Sequence, residues 1–449
     1  MAATVTDTLR KNIAKFFVDD VNLDSDKYYI GIGKSDQYSA TDAVVDPTRS
    51  VSNERDLRNN LQSIKKVEAA SFVIPRYNWS ADREYSAWSD ASVGIPDDRY
   101  YVITDANEVF ICLKQAKNNL GVAQNSIVKP AVPAGRDEDK PFLLSDGYVW
   151  KLLYAISAGK ANSFLSANFA PVQKIEGSGT NLFETQQKGI QDSATGGQII
   201  GITLDSGGAG YGSTTPNVTI RGNGVDAVAT ATLSGGSVVK IEMNNESAGL
   251  GRGYDFAEVI FDGSPTKPAK ARAVISGRAG IGADPRDDLK ANSIMLNIKP
   301  DGNVSNTFVV GNSFRQIGVF KNPELTDSAT AGGFITDVSE KSMRSVGVAS
   351  SSGFTVGNLM SNDSSPSTSA FIDEIVGNRI YFHQNDSSGF GTFHVSQTLT
   401  SGGASTTISI PDTDSSMDRY SGELLYMENR AKVLRDAAQQ EDIKVIITV

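Results

Sequence analysis

The chain is poor in the residues that carry most enzyme chemistry. Among 449 residues there is one cysteine, Cys112, and there are two histidines, His383 and His394. A single thiol excludes an intrachain disulfide and every CxxC metal or redox site. Cys112 lies in the apolar run Val109-Phe110-Ile111-Cys112-Leu113, the setting of a buried, inert thiol. Neither histidine stands in an HExxH arrangement and no GxSxG elbow is present, so zinc on a helix and hydrolysis by a serine triad are not expected. Exposed or turn-satisfied histidines are the expectation. Long apolar runs are missing as well: nothing approaches the ~18 uninterrupted apolar residues of a membrane span. The start, Met1-Ala2-Ala3-Thr4-Val5, lacks the basic-then-apolar pattern of a secretory leader. These features predict a chain made in the cytoplasm with no address of its own. Basic residues are outnumbered, 42 Lys and Arg against 52 Asp and Glu, for a net charge of −10. Such a surface does not draw in phosphate backbones or anionic lipid, so neither a nucleic-acid partner nor membrane insertion is expected.

What is present is the material of a folded protein. A 39% hydrophobic fraction is enough to bury a core, and the length suggests about three domains or one core with insertions. Val5, Leu9, Ile13, Phe16 and Phe17 recur at helical spacing before Asp19-Asp20, which predicts a short amphipathic helix over 5–17. Leu57, Leu61, Ile64 and Val67 predict a second, surface helix over 53–67. Elsewhere the pattern is of strands. Tyr28-Tyr29-Ile30-Gly31-Ile32 and Tyr100-Tyr101-Val102-Ile103 are short aromatic and β-branched runs, the second after a turn signal at Pro96-Asp97-Asp98. The last residues, Asp442 to Val449, read as a paired terminal strand.

An internal repeat lies between about 196 and 277, at an offset of about 40 residues. Ile200-Gly201-Ile202-Thr203-Leu204 matches Val239-Lys240-Ile241-Glu242-Met243, and Ala227 to Gly235 matches Ala269 to Gly277. Each copy reads strand, Gly-rich turn with a tyrosine (Tyr211 or Tyr254), strand, turn, then a strand with Ala at alternate positions. Those alanines give each copy one smooth face that another backbone can approach closely. The whole is read as an inserted all-β module of two related halves. A second insertion, 336–415, is rich in Ser, Thr, Gly and Asp. It carries strand-like runs at Gly353–Val356, Arg379–Phe382 and Thr392–Val395, the signature of a small sandwich or barrel.

Three motifs approach known chemistry and fail. Gly31-Ile32-Gly33-Lys34-Ser35 ends like a phosphate loop, but Tyr28 stands where that loop needs its first Gly. Gly222-Asn223-Gly224-Val225-Asp226-Ala227 is followed by alternating Ala, not a helix, and is a hairpin turn. Asp412, Asp414, Ser416, Asp418 and Glu423 occupy offsets of a calcium loop, yet Met417 stands where the sharp turn requires Gly. The expectation is no catalytic residue, no cofactor and no metal.

The segment Tyr420-Ser421-Gly422-Glu423-Leu424-Leu425-Tyr426-Met427-Glu428-Asn429-Arg430, followed by a terminal β-rich strand, resembles the end of the baseplate wedge subunit of T4-like contractile-tailed bacteriophages, the gene-eight type. Three more stretches agree in order: Val73-Ile74-Pro75-Arg76 with Trp79, Asp146-Gly147-Tyr148-Val149-Trp150, and Ser313-Phe314-Arg315-Gln316-Ile317 with Asn322-Pro323. Tyr29 to Ser35 is similar to the family's first strand and turn. The likeness covers 1–194, 278–335 and 416–449, three parts of one core. The blocks 195–277 and 336–415 depart from it where composition already suggests insertions.

The resemblance implies a mainly β fold, a β-sandwich core with a few helices. It also implies a homodimer, contacts to other wedge proteins, residence in the tail baseplate of the virion, and no catalytic residues. Its motif residues are candidates for the interface or the core: Arg76, Trp79, Tyr148, Trp150, Phe314, Arg315, Tyr420, Tyr426, Met427, Glu428 and Arg430. Arg76 and Arg430 are the candidates for bonded, partly buried guanidinium groups, whereas Tyr148, Trp150, Tyr420, Tyr426 and Met427 suit ordinary core packing as well as partner contact. A receptor- or glycan-binding tail component is a second reading, with exposed Tyr211, Tyr254, Tyr381 and Phe382 stacking on sugars or touching the host surface. A polysaccharide-degrading enzyme using two of the many carboxylates is a third.

Overall fold

The computed structural model describes residues 4–23, 27–33, 44–92, 99–244, 249–300, 302, 304–326 and 333–449. Lys34, Ser35 and the turn signal at Pro96-Asp97-Asp98 lie outside the described residues. The fold is mainly β, with short helices between sheets. The chain divides into two compact units, Met1–Lys15 with Ser71–Met295 and Ile447–Val449, and Phe16–Ala70 with Leu296–Ile446. The segment 1–194 therefore contributes to both.

In the second unit a five-stranded sheet runs Ser339–Lys341, Leu61–Lys66, Tyr28–Gly33, Ser313–Lys321, Glu423–Leu434. Its neighbours are antiparallel throughout. The helix Val51–Asn59 covers one face, burying Leu57 with Tyr29, Leu61, Ile64, Phe320 and Met417. The expected helix over 53–67 thus ends early. Asn60 turns its amide back onto Asp56, donating to its backbone O at 2.7 Å and to Oδ1 at 2.9 Å. The chain then continues as the strand Leu61–Lys66, buried on both faces. Leu61 and Ile64 are core residues in either geometry, so their spacing alone could not separate helix from strand.

The other half of this unit is a closed barrel. Its strands run in the order Arg344–Val348, Arg379–His383, Ser369–Val376, Leu359–Asn362, Thr398–Ser401, Ala404–Thr413. The interior holds Val346, Met360, Ile372, Ile380, Phe382, Leu399 and Ile408. Two of the three strands expected here are turns: Gly353–Val356 and Thr392–Val395 are not in strands, and Phe354 and Phe393 enter the barrel core from loops. An aromatic between glycines and hydroxyl residues can plug a barrel end as well as line a wall.

In the first unit, Tyr101–Ile103, Glu108–Lys114, Val149–Ala155 and Phe142–Leu143 form a four-stranded sheet. An aromatic cluster of Tyr85, Phe110, Phe142, Tyr148 and Trp150 packs against it. The repeat segment forms one six-stranded sheet in the order Ser237–Met243, Ala229–Ser234, Asn217–Gly222, Ala257–Phe261, Lys270–Ile275, Ile199–Ser206. Each copy therefore gives its first strand to the other copy's half: Ile199–Ser206 pairs with Lys270–Ile275, and Ser237–Met243 with Ala229–Ser234. The tyrosines follow the same exchange. Tyr211 packs with Val238 and Ala269, and Tyr254 with Ile199 and Ala229. Gly208 and Gly251, at φ of 66° and 67°, let the tyrosine turns lie against the opposite copy's backbone. A Cβ at Gly208 would stand 2.4 Å from the Lys267 carbonyl oxygen, and one at Gly251 would stand 2.6 Å from that of Val225.

The N-terminal helix runs Asp7–Leu23, through Asp19-Asp20, and its buried side is Ala14, Val18 and Val21. Leu9, Ile13 and Phe16, the stripe expected to face the core, are exposed. Small and β-branched residues fit the close side of this helix, and the larger ones are left outside.

Candidate functional site

Two of the stretches that carry the family resemblance, Ser313–Ile317 and Tyr420–Arg430, lie on adjacent strands. Ser313–Lys321 pairs with Glu423–Leu434 so that Phe314 faces Val433, Gln316 faces Asn429, Ile317 faces Glu428, and Gly318 faces Met427. The register shifts between Phe314 and Gln316 and again between Val319 and Phe320, so the outer strand is bulged and twisted at both ends of its regular stretch. Phe314 and Arg315 are buried in the inner strand. Met427 packs half-buried on the cluster around Tyr29 and Leu57.

Tyr426 and Glu428 share the opposite face, where the phenol donates to Oε2 at 2.9 Å. Burial, with that carboxylate beside it, pushes the Tyr426 phenol up to about 12. Tyr420 is exposed at 58%, yet its hydroxyl donates to Asn59 Oδ1 at 2.6 Å. Its turn is held by Arg58, which donates to the carbonyls of Arg419 at 3.0 Å, Ser421 at 2.7 Å and Gly422 at 2.8 Å. Among the described residues no strand pairs with the outer edge of Glu423–Leu434, and Leu425 and Leu434 on it are 42% and 64% exposed.

The remaining candidates lie in the first unit. Tyr148 and Trp150 are fully buried and stacked, with ring centroids 5.9 Å apart and planes 20° from parallel. Tyr148 donates to the Gln124 carbonyl at 2.7 Å and accepts from the Tyr85 amide at 3.1 Å. Both are core residues. Trp79 is half-buried against the same cluster, its indole donating to Ser126 Oγ at 3.3 Å. Arg76 is half-buried and bonded, donating to Asn78 Oδ1 and to the Ser166 carbonyl, both at 2.9 Å.

Several expectations are corrected here. Arg430 is exposed, not a partly buried bonded arginine. The arginines that do knit the second unit are Arg58 and Arg435. Arg435 is only 1% exposed, donates to the carbonyls of Val309, Pro300 and Gly302, and lies with its guanidinium carbon 4.7 Å from the Phe308 ring centroid. Neither stands in a stretch the sequence singles out, because an arginine that satisfies backbone carbonyls has no local signature. The aromatics expected to stack on sugars are not available for it. Tyr211, Tyr254 and Phe382 are buried, and half-buried Tyr381 is capped by the Lys341 ammonium 4.0 Å from its ring centroid.

His394 is exposed, but His383 is 1% exposed in the barrel wall, its Nδ1 2.6 Å from Asp373 Oδ2 and its ring stacked on Phe371. In the calcium-like segment, Met417 is buried and pairs with Leu325, and Asp412 is taken up by Arg344. Among the described residues no cluster of His, Cys, Asp or Glu could hold a metal ion, and no helix is long and apolar enough to cross a membrane.

Two open clefts in the first unit have charged groups on their walls. One, of about 420 Å³, is lined by Trp88, Ile202, Leu204, Lys114, Lys240 and Glu242. Glu242 bridges Lys114 at 2.5 Å and Lys240 at 2.8 Å. Burial pushes its carboxyl up, but the two ammonium groups outweigh this and hold it below the usual range. The other, of about 640 Å³, has Lys151 on its wall. That ammonium donates to the Ile281 carbonyl at 2.8 Å, and burial lowers it to about 8. Nearby Asp288, fully buried, accepts from the Gly282 amide at 2.7 Å and is pushed by burial to about 8. Burial also raises the Cys112 thiol, which suppresses its thiolate. Glu242, Lys114, Lys240 and Lys151 are thus engaged with one another or with the backbone. The most prominent unpaired feature among the described residues is therefore the strand edge.

No family model matches the chain, and no curated protein matches it.

Proposed function

We propose that the chain is a structural subunit of a contractile phage tail, a baseplate wedge component. In this reading it works as a homodimer, assembles with other wedge proteins and takes part in the baseplate rearrangement at infection. It has no substrate and performs no catalysis. The observation that carries the reading is the pairing of Ser313–Lys321 with Glu423–Leu434. Two stretches far apart in the chain, each resembling the same family, are neighbours in one sheet and end in an open strand of 12 residues. A subunit whose work is adhesion needs extended, geometrically defined surfaces rather than tuned titratable groups. The burial of Tyr211, Tyr254 and Phe382 removes the contacts on which the glycan-binding alternative depended.

The test is made on particles produced by the genome that encodes the chain. Mass spectrometry of purified particles is expected to find the chain, and antibody against it to label the end of the tail distal to the head. Its absence from purified particles, or label on the head alone, would overturn the reading.

A further inference from the structure

The strand Glu423–Leu434 is the last of its sheet, and among the described residues no strand pairs with its outer edge, although the Asn429 side-chain amide donates to the Val45 carbonyl at 2.8 Å. Open edges of this length are normally shortened, covered or charged on one side. This one is charged at Glu423, Glu428, Arg430 and Lys432 and bulged, and the charges at its centre complement themselves when the strand is read in the opposite direction. We propose that the edge is the dimer interface: two copies pair antiparallel along Glu423–Leu434 about a two-fold axis at Asn429, joining the two five-stranded sheets into one. The inference rests on the homodimer in the reading above and names its surface.

The register follows from the residues. With Asn429 opposite its own copy, Glu428 faces Arg430 and Arg430 faces Glu428, an ion pair formed twice by symmetry. Met427 faces Ala431, so an apolar pair flanks the charged centre on each side, and the extra residue at Leu425 ends the regular match beyond it. Neighbouring registers lose this match. A shift of one residue sets Arg430 against Met427 or Glu428 against Ala431, and a shift of two sets Glu428 against Glu428 or Arg430 against Arg430. Like charges directly opposite are destabilising in a sheet, so the same pair that favours the proposed register opposes the nearest alternatives.

The exposure fits the assignment. Arg430 is exposed on the strand, and Leu425 and Leu434 leave apolar surface at the rim. The extra residues of the register shifts belong to Glu423–Leu434 itself, at Leu425 and in the stretch 430–432, so Arg430 has no one-to-one partner on Ser313–Lys321. Backbone groups of an edge strand that point away from its sheet neighbour are those a second copy would satisfy.

The experiment uses the full-length chain. By sedimentation equilibrium the native protein is expected to show twice the 47.8 kDa chain mass. Glu428→Arg and Arg430→Glu, each of which sets like charges opposite each other twice, are expected to raise the dissociation constant at least about tenfold. The double variant E428R/R430E restores opposite charges and is expected to regain the dimer. Asn429→Cys, on the axis, is expected to give a disulfide-linked dimer on oxidation, with buried Cys112 contributing none.

A dimer whose mass is unmoved by either single reversal, or a dimeric Asn429→Cys chain that does not cross-link, overturns this interface while leaving a homodimer through another face. A native chain that stays monomeric at micromolar concentration overturns both. Failure of the double variant to recover, with circular dichroism unchanged, also overturns the pairing.

Discussion

Asp373 and His383 face each other across neighbouring strands of the barrel wall, with Oδ2 and Nδ1 2.6 Å apart and both side chains essentially inaccessible to water. The other carboxylate oxygen of Asp373 accepts from Gln62 at 2.9 Å and from Asn312 at 3.4 Å. Both belong to the segments of the five-stranded sheet, so one carboxylate ties barrel and sheet together inside the second unit. A buried group with this many partners costs more to strip than to replace by a matched apolar set. His383→Ala is expected to lower the unfolding free energy by about 3 kcal/mol, read from urea melting. A loss under about 0.5 kcal/mol, the scale of an ordinary surface substitution, would show that the pair contributes nothing.

The tyrosine turns of the repeat module allow a paired comparison. Gly208 and Gly212 have nearly the same backbone, φ of 66° and 67°. A methyl group added at Gly208 would be crowded by backbone atoms, whereas one at Gly212 would meet nothing within 4 Å. Gly212→Ala is expected to cost about 1 kcal/mol, the left-handed conformation alone. Gly208→Ala adds a clash that only backbone movement relieves, and should cost at least about 3 kcal/mol. Equal melting temperatures for the two variants would refute the close packing of the exchanged halves.

Asp288 makes stability depend on pH. Burial raises its folded pKa to about 8, whereas the unfolded carboxyl stays near its ordinary value of 3.8. Between these values the unfolded chain has released the proton and the folded chain still holds it, so the contribution to stability falls as pH rises. Asp288→Asn removes this dependence. The melting temperature of the variant relative to the native chain is therefore expected to rise from pH 4 to pH 8. A difference that stays flat across that window would mean the carboxyl is not held protonated. Above about pH 8 the lowered pKa of Lys151 acts in the opposite direction: up to its ordinary value of 10.5 the folded chain has lost a proton that the unfolded chain keeps, so this group's contribution to stability rises with pH.

Much of the fold was legible locally. Tyr28–Gly33, Tyr101–Ile103 and Ile443–Thr448 are strands where aromatic and β-branched runs predict them. The repeat forms a single sheet, and Arg344 to Thr413 closes into a barrel. Of the candidate residues, Tyr148, Trp150 and Phe314 are core, as alternating large apolar side chains on strands suggest.

Residue order determined the strands Tyr28–Gly33, Tyr101–Ile103 and Ile443–Thr448, the repeat, the inert thiol and the charge pattern along Glu423–Leu434, since each depends on neighbours within a few positions. Only the tertiary structure decided that Leu61 begins a strand, that the repeat copies exchange their first strands, and that Tyr211, Tyr254 and Phe382 are buried. It alone decided that Arg58 and Arg435, rather than Arg430, hold backbone carbonyls. These outcomes depend on partners distant in the chain. Local spacing fixes which faces can be buried, and long-range pairing chooses which of them are.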